Sequence, residues 1–364
     1  MDWDALIRDD VKPLTPYAPG LRASEVRERA GVDRICKLSS NENPYGPFPS
    51  AIAAMQAVLG RLNRYPDGSA RALRRRIAQQ LQVDERFVAV GNGSNELLRV
   101  IAEAVLEPGD ETVFAWPSFV VYSMATQLMG ATAVKVPLAE GDVHDLDAML
   151  AAITAKTKIV FLCNPNNPTG SIYRRAEFER FMERVPDHVL VVLDEAYFEY
   201  VTDGEYPNGL DYFDGERPVI VLRTFSKMYS LAGLRCGYGV MPEAMVDAVN
   251  KVRDPFNVNT VAQVAAYYSI DDQAEVSRRR DENASERVRL YEAFDRLGIS
   301  WVPSETNFVY IHAERAQELF ERLLGCGVIV RYFGGDALRV GVGSPEENTA
   351  AIEAFNSVFA GGEA

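Results

Sequence analysis

The chain has 364 residues, of which 47% are hydrophobic and 25% charged, a composition typical of globular proteins that argues against intrinsic disorder. Its formal net charge is −14, from 38 basic and 52 acidic side chains, which argues against a general binder of nucleic acid or anionic membranes. The length exceeds what one ordinary hydrophobic core needs, so two domains are expected.

The beginning of the chain and its cysteines predict a cytoplasmic protein. The first ten residues, MDWDALIRDD, are acidic and interrupted by charges, unlike a secretory signal. No apolar run reaches the roughly 18 to 20 residues that a membrane span needs. Four cysteines and three histidines are scattered without a C-x-x-C pair, so neither a disulfide framework nor a metal site is predicted, and the thiols are expected to be reduced.

Short β-branched runs alternate with longer helical patterns between residues 85 and 240, which predicts a parallel α/β sheet. Near-continuous apolar runs suit strands that are covered on both faces. A helix is predicted over 95–105, between two such strands. The predicted strands are FVAV (87–90), ETVFA (111–115), KIVFLC (158–163), VLVVL (189–193) and VIVL (219–222).

The pattern changes after residue 258. A charged helical segment over 274–297 precedes NFVYI, AQELFERLLGCG, VIVRYF and ALRVGVG, an order that predicts a smaller α+β domain. We therefore expect an N-terminal arm at 1–45, a large domain at 46–258 and a small C-terminal domain at 259–364. The run Arg278-Arg279-Arg280 is expected on a solvated helix face.

Polar clusters follow four of the predicted strands at the point where each strand ends. Ligands bind at the carboxyl ends of strands in an open parallel sheet, so these clusters are expected to converge on one site. They are GNGSNE (91–96), NPNNPTG (164–170), DEAY (194–197) and TFSK (224–227).

Each cluster has a plain structural interpretation beside the functional one. GNGSNE carries Glu96 where a dinucleotide fingerprint has its last glycine, which leaves a helix start that binds an anion or is merely capped by Ser94 or Asn95. VLVVLDE resembles a Walker B strand, but the chain has no Gly-Lys pair for a P-loop, so Asp194 needs either a structural salt bridge or a ligand. NPNNPTG is a turn, with more asparagines than a turn requires.

Lys227 lies in TFSKMYSLAGLRCGY (224–238), where it has no charged neighbour before Arg235. The clusters together supply an anion site, a lysine, an arginine, a carboxylate, a tyrosine and an asparagine amide. A ligand with a phosphate, a pyridine nitrogen, a phenolic oxygen and an aldehyde would use all of them. The sequence therefore predicts pyridoxal 5′-phosphate, held as a Schiff base with the lysine.

Five motifs occur in this order along the chain: LSSNENPYGP (38–47), RYPDG (64–68), CNPNNPTG (163–170), DEAY (194–197) and TFSKMYSLAGLRCGY (224–238). Together they resemble the fold-type I, pyridoxal phosphate-dependent aminotransferases, and most of all their histidinol-phosphate aminotransferase branch. The resemblance runs from about residue 10 to the C-terminus and implies a mostly parallel central sheet flanked by helices, with a smaller α+β domain. It also implies a cytoplasmic homodimer that exchanges an amino group between glutamate/2-oxoglutarate and histidinol phosphate/imidazole acetol phosphate, in histidine biosynthesis.

The resemblance implies catalytic roles for individual residues. Lys227 is expected to bond the cofactor and then to move the proton, for which its amine must be neutral near pH 7. Asp194 is expected to keep the pyridine nitrogen protonated. Tyr197 and Asn167 are expected to donate hydrogen bonds to the phenolic oxygen.

Further residues are implied for cofactor and substrate binding. Phe119 is expected to stack on the pyridine ring, where relatives often carry tyrosine, and Tyr65 is expected to reach the phosphate in the neighbouring subunit. The residues implied for the phosphate are Gly93, Ser94, Asn95, Ser226 and Arg235. Those implied for substrate binding are the anion-binding Arg339, its companion Arg331, Tyr17, which closes over the substrate ring, and Asn43.

Several alternatives remain open on the sequence alone. An aromatic amino acid aminotransferase has the same architecture as the histidinol-phosphate enzymes. A pyridoxal phosphate decarboxylase acting on a phosphorylated amino acid and a non-catalytic regulator of this fold are further alternatives, although an intact Lys227 argues against the regulator. An NAD oxidoreductase is the most distant of them.

Overall fold

The computed structural model describes residues 3–16, 20–32 and 34–360. None of the helices in these ranges has the length and apolar composition needed to cross a membrane. The strands are β1 (Cys36–Lys37), β2 (Val88–Gly91), β3 (Glu111–Trp116), β4 (Thr132–Pro137), β5 (Thr157–Cys163), β6 (Leu190–Asp194), β7 (Val219–Thr224), β8 (Gly237–Val240), β9 (Ser300–Val302), β10 (Phe308–His312), β11 (Val328–Ile329), β12 (Arg331–Gly334) and β13 (Ala337–Gly341).

The helices alternate with these strands through the first two thirds of the chain. Short 3₁₀ turns occupy Leu59–Arg61, Glu85–Phe87, Phe198–Tyr200, Gly209–Tyr212 and Ala232–Leu234. The α-helices are α1 (Ala23–Ala30), α2 (Pro49–Val58), α3 (Arg71–Leu81), α4 (Ser94–Val105), α5 (Val121–Leu128), α6 (Leu146–Ala151), α7 (Arg175–Arg184), α8 (Glu243–Val252), α9 (Thr260–Ser269), α10 (Gln273–Arg296), α11 (Ala316–Gly325) and α12 (Pro345–Ala360).

The main sheet has seven strands in the order β2-β8-β7-β6-β5-β3-β4. Strand β8 runs antiparallel to both of its neighbours, and the other adjacent pairs are parallel. All five strands predicted from the apolar runs are present, within one or two residues of their predicted ends. The predicted α/β fold with a mostly parallel central sheet is confirmed.

Both faces of this sheet are covered, which explains the apolar runs. Along β5, Phe161 packs into a layer with α4, α5 and α8, while Val160 and Leu162 pack into the opposite layer with α6 and α7. Successive residues of a strand point to opposite faces, so a strand that is buried on both sides is apolar at nearly every position. The helices thus leave only the strand ends for polar side chains.

A second, antiparallel sheet has the order β12-β13-β10-β9. Helices α10 and α11 pack on it and α12 packs on both of these helices, and together they enclose a separate core, which includes Leu290, Phe294 and Phe355. Cys36 and Leu38 also belong to this core, and β1 pairs in parallel with β11. The end of the predicted N-terminal arm is therefore part of the smaller unit.

The expected boundary at residue 258 lies before α9, but α9 packs on α2 of the larger unit. The long helix α10 joins the two cores, because Val276 near its start belongs to the larger one and Leu290 to the smaller. We propose that the division between the domains falls within α10.

The expectation of a solvated arginine run is wrong for Arg279. Its side chain is 6% exposed, pairs with Glu275 at 2.7 Å and donates to Ser230 Oγ and the Gly46 carbonyl. The neighbouring Arg278 is half exposed, as expected. Consecutive helical residues differ by about 100° in direction, so a run of like charges cannot share one face.

Candidate active site

A cavity of about 280 Å³ lies at the carboxyl ends of the parallel strands, and all four predicted polar clusters contribute to its wall. A larger cavity, of about 780 Å³, lies beside α11 and contains none of the predicted site residues. The predicted residues that line the smaller cavity are Ser94, Asn95, Phe119, Asn167, Asp194, Tyr197, Ser226, Lys227, Arg235 and Arg339.

Lys227 follows β7 and is half-buried in the cavity wall. Its Nζ donates a hydrogen bond of 3.2 Å to the backbone carbonyl of Asn41. Burial lowers the pKa of Lys227 to about 8, and repulsion from Arg339 adds to the effect. Only about a tenth of the amine is therefore neutral at pH 7, but this is far more than at the ordinary lysine pKa, and a nucleophile or proton carrier needs the neutral form.

Asp194 ends β6 and is 2% exposed. It accepts hydrogen bonds from the hydroxyl of Tyr122 at 2.7 Å and from the amide of Ala196 at 3.3 Å. Burial raises the pKa of Asp194 to about 6, which these two donors oppose. Among the described ion pairs none involves Asp194, so the structural salt bridge considered as an alternative is absent there, and the carboxylate suits a cationic ligand group.

The start of α4 and the guanidinium of Arg235 line the same cavity. Gly93 precedes the helix with a φ of +86°, and a Cβ on it would lie 2.6 Å from Nη2 of Arg235. Arg235 Nη1 lies 3.4 Å from Ser226 Oγ. An anion site results from this glycine, the free N–H groups that a helix start presents and the guanidinium of Arg235.

The residue that precedes α4 is a glycine with no capping side chain, and the structure records no side-chain cap there. The alternative in which Ser94 or Asn95 merely caps the helix is therefore not observed. Both of these side chains line the cavity instead.

Tyr197 and Arg339 also lie in the wall of the cavity. The hydroxyl of Tyr197 accepts a hydrogen bond of 2.9 Å from Nδ2 of Asn41. Burial raises the pKa of Tyr197, so its hydroxyl is protonated at neutral pH. Arg339, 8% exposed, donates from Nη1 to Oδ1 of Asn167 and from Nη2 to the carbonyl of Ser39 at 2.9 Å.

The asparagines of NPNNPTG divide into two groups. Asn164 and Asn166 stabilise the turn, through Tyr173 for the first and through Ser118 and Thr169 for the second. Asn167 instead faces the cavity. This division explains why the segment has more asparagines than a turn requires.

The functional groups around the cavity fit pyridoxal phosphate. One cavity holds a carboxylate for the ring nitrogen, a lysine for the aldehyde and an anion site for the phosphate. Its volume is near the lower end of the usual range for ligand pockets, about 300–1,000 Å³. The ring of Phe119, expected to stack on the cofactor, packs edge-on against Tyr122 with centroids 5.8 Å apart.

Tyr65 and Arg331, both predicted for the site, do not line this cavity. Tyr65 is 82% exposed and stacks on Phe256 with ring centroids 4.7 Å apart. Arg331 is directly opposite Arg339 in the β12–β13 ladder, but it does not contribute to the cavity wall.

Asn43, also predicted for substrate binding, does not line this cavity, and Tyr17 lies outside the described residues. The Asn43 amide donates to the hydroxyl of Tyr200 and to the carbonyl of Met228, both at 3.2 Å. Asn41, two residues earlier in the same motif, lines the cavity instead. Its backbone φ of 53° changes the direction of the chain there, which alternation along the sequence does not reveal.

Known proteins resemble this chain in sequence and in fold. A family model for aminotransferase class I and II matches residues 33–355. The histidinol-phosphate aminotransferase of Moorella thermoacetica is 46% identical over 97% of this chain and 93% of its own length. Histidinol-phosphate aminotransferase 2 of Pseudomonas aeruginosa is 45% identical over 99% of each chain. The solved histidinol-phosphate aminotransferase from Sinorhizobium meliloti, in complex with pyridoxal-5′-phosphate, matches with a TM-score of 0.88 and 27% identity over 96% of this chain and 98% of that one.

Proposed function

The chain belongs to the class I and II aminotransferases, and we propose that it transfers an amino group between histidinol phosphate and 2-oxoglutarate with pyridoxal phosphate as cofactor. The products are imidazole acetol phosphate and glutamate, a step of histidine biosynthesis. Relatives at 43–46% identity over nearly the whole chain carry the name of this activity.

The observation that carries the proposal is the position of Lys227 in one cavity with Asp194 and with the anion site of Gly93, Ser226 and Arg235. Bound pyridoxal phosphate supplies an electron sink for the negative charge that develops at the carbon bearing the amino group. Asp194 would hold the ring nitrogen, and the anion site would hold the phosphate. Lys227, with its lowered pKa, would bond the cofactor and carry the proton.

Arg339 supports the proposed substrates. Its guanidinium is buried in the cavity wall, where it can bind an anionic group of a ligand. Histidinol phosphate carries a phosphate and glutamate carries a second carboxylate, so one cationic position would serve both substrates in turn. Arg331, opposite it in the sheet, would add positive charge on the same side.

The proposal is tested with half-reactions of the cofactor-loaded protein. Histidinol phosphate and glutamate should each remove the visible absorbance of the bound cofactor, and 2-oxoglutarate should restore it. Lys227→Ala should show no such cycle. If only phenylalanine or tyrosine reacts, the protein is an aromatic amino acid aminotransferase, and if carbon dioxide is released without an oxo acid, it is a decarboxylase.

We also propose that the protein works as a homodimer with shared active sites. Tyr65 and Phe256 are exposed and stack on each other, and further exposed apolar side chains, Ile52, Leu59 and Tyr268, lie on or next to the packed helices α2 and α9. Exposed apolar patches of this kind mark protein interfaces. Tyr65 would then reach the anion site of the partner subunit. Free cysteines, three of them buried, suit the reducing cytoplasm in which we propose that the enzyme acts.

A further inference from the structure

Two asparagine–tyrosine hydrogen bonds connect the segment 38–47 to the turn that follows β6. Asn41 Nδ2 donates to the Tyr197 hydroxyl at 2.9 Å, and Asn43 Nδ2 donates to the Tyr200 hydroxyl at 3.2 Å. Both tyrosines are buried, at 3% and 1% exposure. Only the first pair lines the active-site cavity, so the second is an internal control for the first.

The first bond fixes where the proton of Tyr197 points. A phenolic oxygen that accepts an N–H from Asn41 must direct its own O–H elsewhere. Within residues 3–16, 20–32 and 34–360, that O–H meets no protein acceptor. The remaining direction is the cavity, so the hydroxyl is available as a donor to a bound ligand.

The orientation of the Asn41 amide follows from its surroundings. The side chain is 3% exposed, and its Oδ1 is buried without a described partner. The reversed amide would leave both N–H donors buried without an acceptor, and buried donors are left unpaired less often than buried carbonyl oxygens. The observed orientation, with the amide as donor to Tyr197, is therefore preferred.

The backbone of the same residue holds the lysine. The Asn41 carbonyl accepts hydrogen bonds from Lys227 Nζ at 3.2 Å and from Asn307 Nδ2 at 3.1 Å. Asn41 has a φ of 53°, a conformation that asparagine adopts more readily than most residues. Asn307, just before β10 in the smaller unit, thus fixes the loop that contacts both Lys227 and Tyr197.

We propose that Asn41 is a positioning residue that directs the Tyr197 proton into the cavity and holds the Lys227 amine beside it. The inference rests on the proposed function, because its effect is exerted on bound pyridoxal phosphate. A donor aimed at the phenolic oxygen of that ligand stabilises the oxygen in its ionised form. The pH at which the bound chromophore changes its absorbance should therefore depend on Asn41.

Two substitutions separate the contributions of the side chain and the backbone. Asn41→Gly keeps the carbonyl and the left-handed φ but removes the amide. Asn41→Asp keeps the shape but replaces the donor with an acceptor, which should turn the Tyr197 proton away from the cavity. Asn43→Ala and Tyr200→Phe remove the matched pair that does not face the cavity.

The main measurement is a spectrophotometric pH titration of the loaded protein without substrate. Asn41→Gly should raise the midpoint by roughly one unit or less, and Asn41→Asp by more, because hydrogen bonds to charged groups are stronger than neutral ones. In a Tyr197→Phe background, Asn41→Gly should cause no further shift. Asn43→Ala and Tyr200→Phe should leave the midpoint unchanged.

A second measurement uses the protein without cofactor. The pH dependence of Lys227 acylation should move upward in Asn41→Asp, because a carboxylate beside the amine favours its charged form. It should stay close to wild type in Asn41→Gly, which retains the carbonyl. Thermal unfolding of each variant separates these effects from loss of folding.

The outcomes distinguish this inference from the proposed function. A protein that takes up no pyridoxal phosphate refutes both. A loaded, transaminating protein whose titration midpoint is the same in wild type and Asn41→Gly refutes the role of Asn41 alone. An equal shift with and without the Tyr197 hydroxyl refutes it as well, because the effect would then not pass through that group.

Discussion

The hydroxyl of Tyr122 donates a hydrogen bond of 2.7 Å to Oδ2 of Asp194, and both side chains are buried. Burial alone favours the protonated carboxyl, and the pKa of Asp194 is raised to about 6. Tyr122 limits this rise, because a hydrogen bond to a carboxylate stabilises its charged form. The helix α5 thereby helps to keep the carboxylate ionised at neutral pH.

Replacing Tyr122 with phenylalanine should weaken cofactor binding. A hydrogen bond to a charged group contributes about 1.5–3 kcal/mol, so the pKa of Asp194 should rise by about one to two units. We expect the dissociation constant for pyridoxal phosphate to increase roughly tenfold at pH 6 and less at pH 8.5, where Asp194 ionises again. Tyr173→Phe, at a buried tyrosine in the opposite layer of the core, is the control. Equal affinities of wild type and Tyr122→Phe at pH 6 would contradict the role of this bond.

Gly93→Ala should damage the anion site selectively. The new Cβ would lie 2.6 Å from Arg235 Nη2, and the φ of +86° is strained for alanine. We expect the affinity for pyridoxal phosphate to fall by at least about tenfold through displacement of one charged contact, while the affinity for pyridoxal, which lacks the phosphate, changes little. Gly204→Ala, where a Cβ meets nothing within 4 Å, is the control. An equal loss for both ligands would show general disruption instead.

Much of the fold could be predicted because the strands of a covered parallel sheet are apolar at almost every position, as β5 and β6 are. Strand β8 was not predicted. Its sequence, GYGV, contains two glycines, and only its position between β2 and β7 makes it a strand. The packing of α9 on the larger unit is likewise a tertiary contact, which local patterns do not encode.

The site could be predicted where its residues follow strands in recognisable motifs. Asp194, Lys227 and Arg235 do so, and each lines the cavity. Tyr122 and Asn41 were missed because their contacts join residues 72 and 156 positions apart. Nothing in NEN distinguishes Asn41 from Asn43 as a cavity residue, since only the backbone turn at Asn41 decides which side chain faces inward.

The amine of Lys227 should titrate with a pKa of about 8 in the protein without cofactor. Besides burial, Arg339 lowers this pKa and Glu42 raises it. We therefore expect Arg339→Gln to move the pH profile of Lys227 acylation upward and Glu42→Gln to move it downward. Peptide mapping after competitive labelling reports the profile. Shifts of the same sign in both variants would show that charge is not the cause.

Shared active sites should allow two inactive variants to restore each other. Lys227→Ala lacks its amine and Tyr65→Ala lacks the proposed contact to the partner's site. A mixed dimer would have one site with both residues intact, so unfolding and refolding an equimolar mixture should recover about a quarter of the wild-type activity. Each variant refolded alone is the control, and adding Lys227→Ala to the Tyr65→Ala chain should abolish the recovery, because no dimer of the mixture would then contain Lys227. No recovery in a mixture that forms dimers would place Tyr65 outside the partner's site.

His312 should make the stability of the protein depend on pH. Its Nε2 lies 2.9 Å from Oδ2 of Asp142, which precedes α6 in the larger unit, and its Nδ1 lies 3.1 Å from Oδ2 of Asp336 in the smaller unit. Partial burial alone would lower the pKa of His312, but the hydrogen bonds and charges of the two carboxylates outweigh it, and the net pKa is raised. The protonated ring thus connects the two units.

A group whose pKa is raised by folding stabilises the folded state fully below its unfolded pKa, which is about 6.5 for histidine. This contribution disappears as the pH rises through the higher pKa of the folded state. His312→Gln should therefore lower the melting temperature most at pH 5.5 and least at pH 8.5. In an Asp142→Asn, Asp336→Asn background, the same substitution should have an effect that does not vary with pH over this range, because the ring then has no carboxylate to bind. A pH-dependent effect of equal size in that background would contradict the assignment of the pH dependence to these two carboxylates.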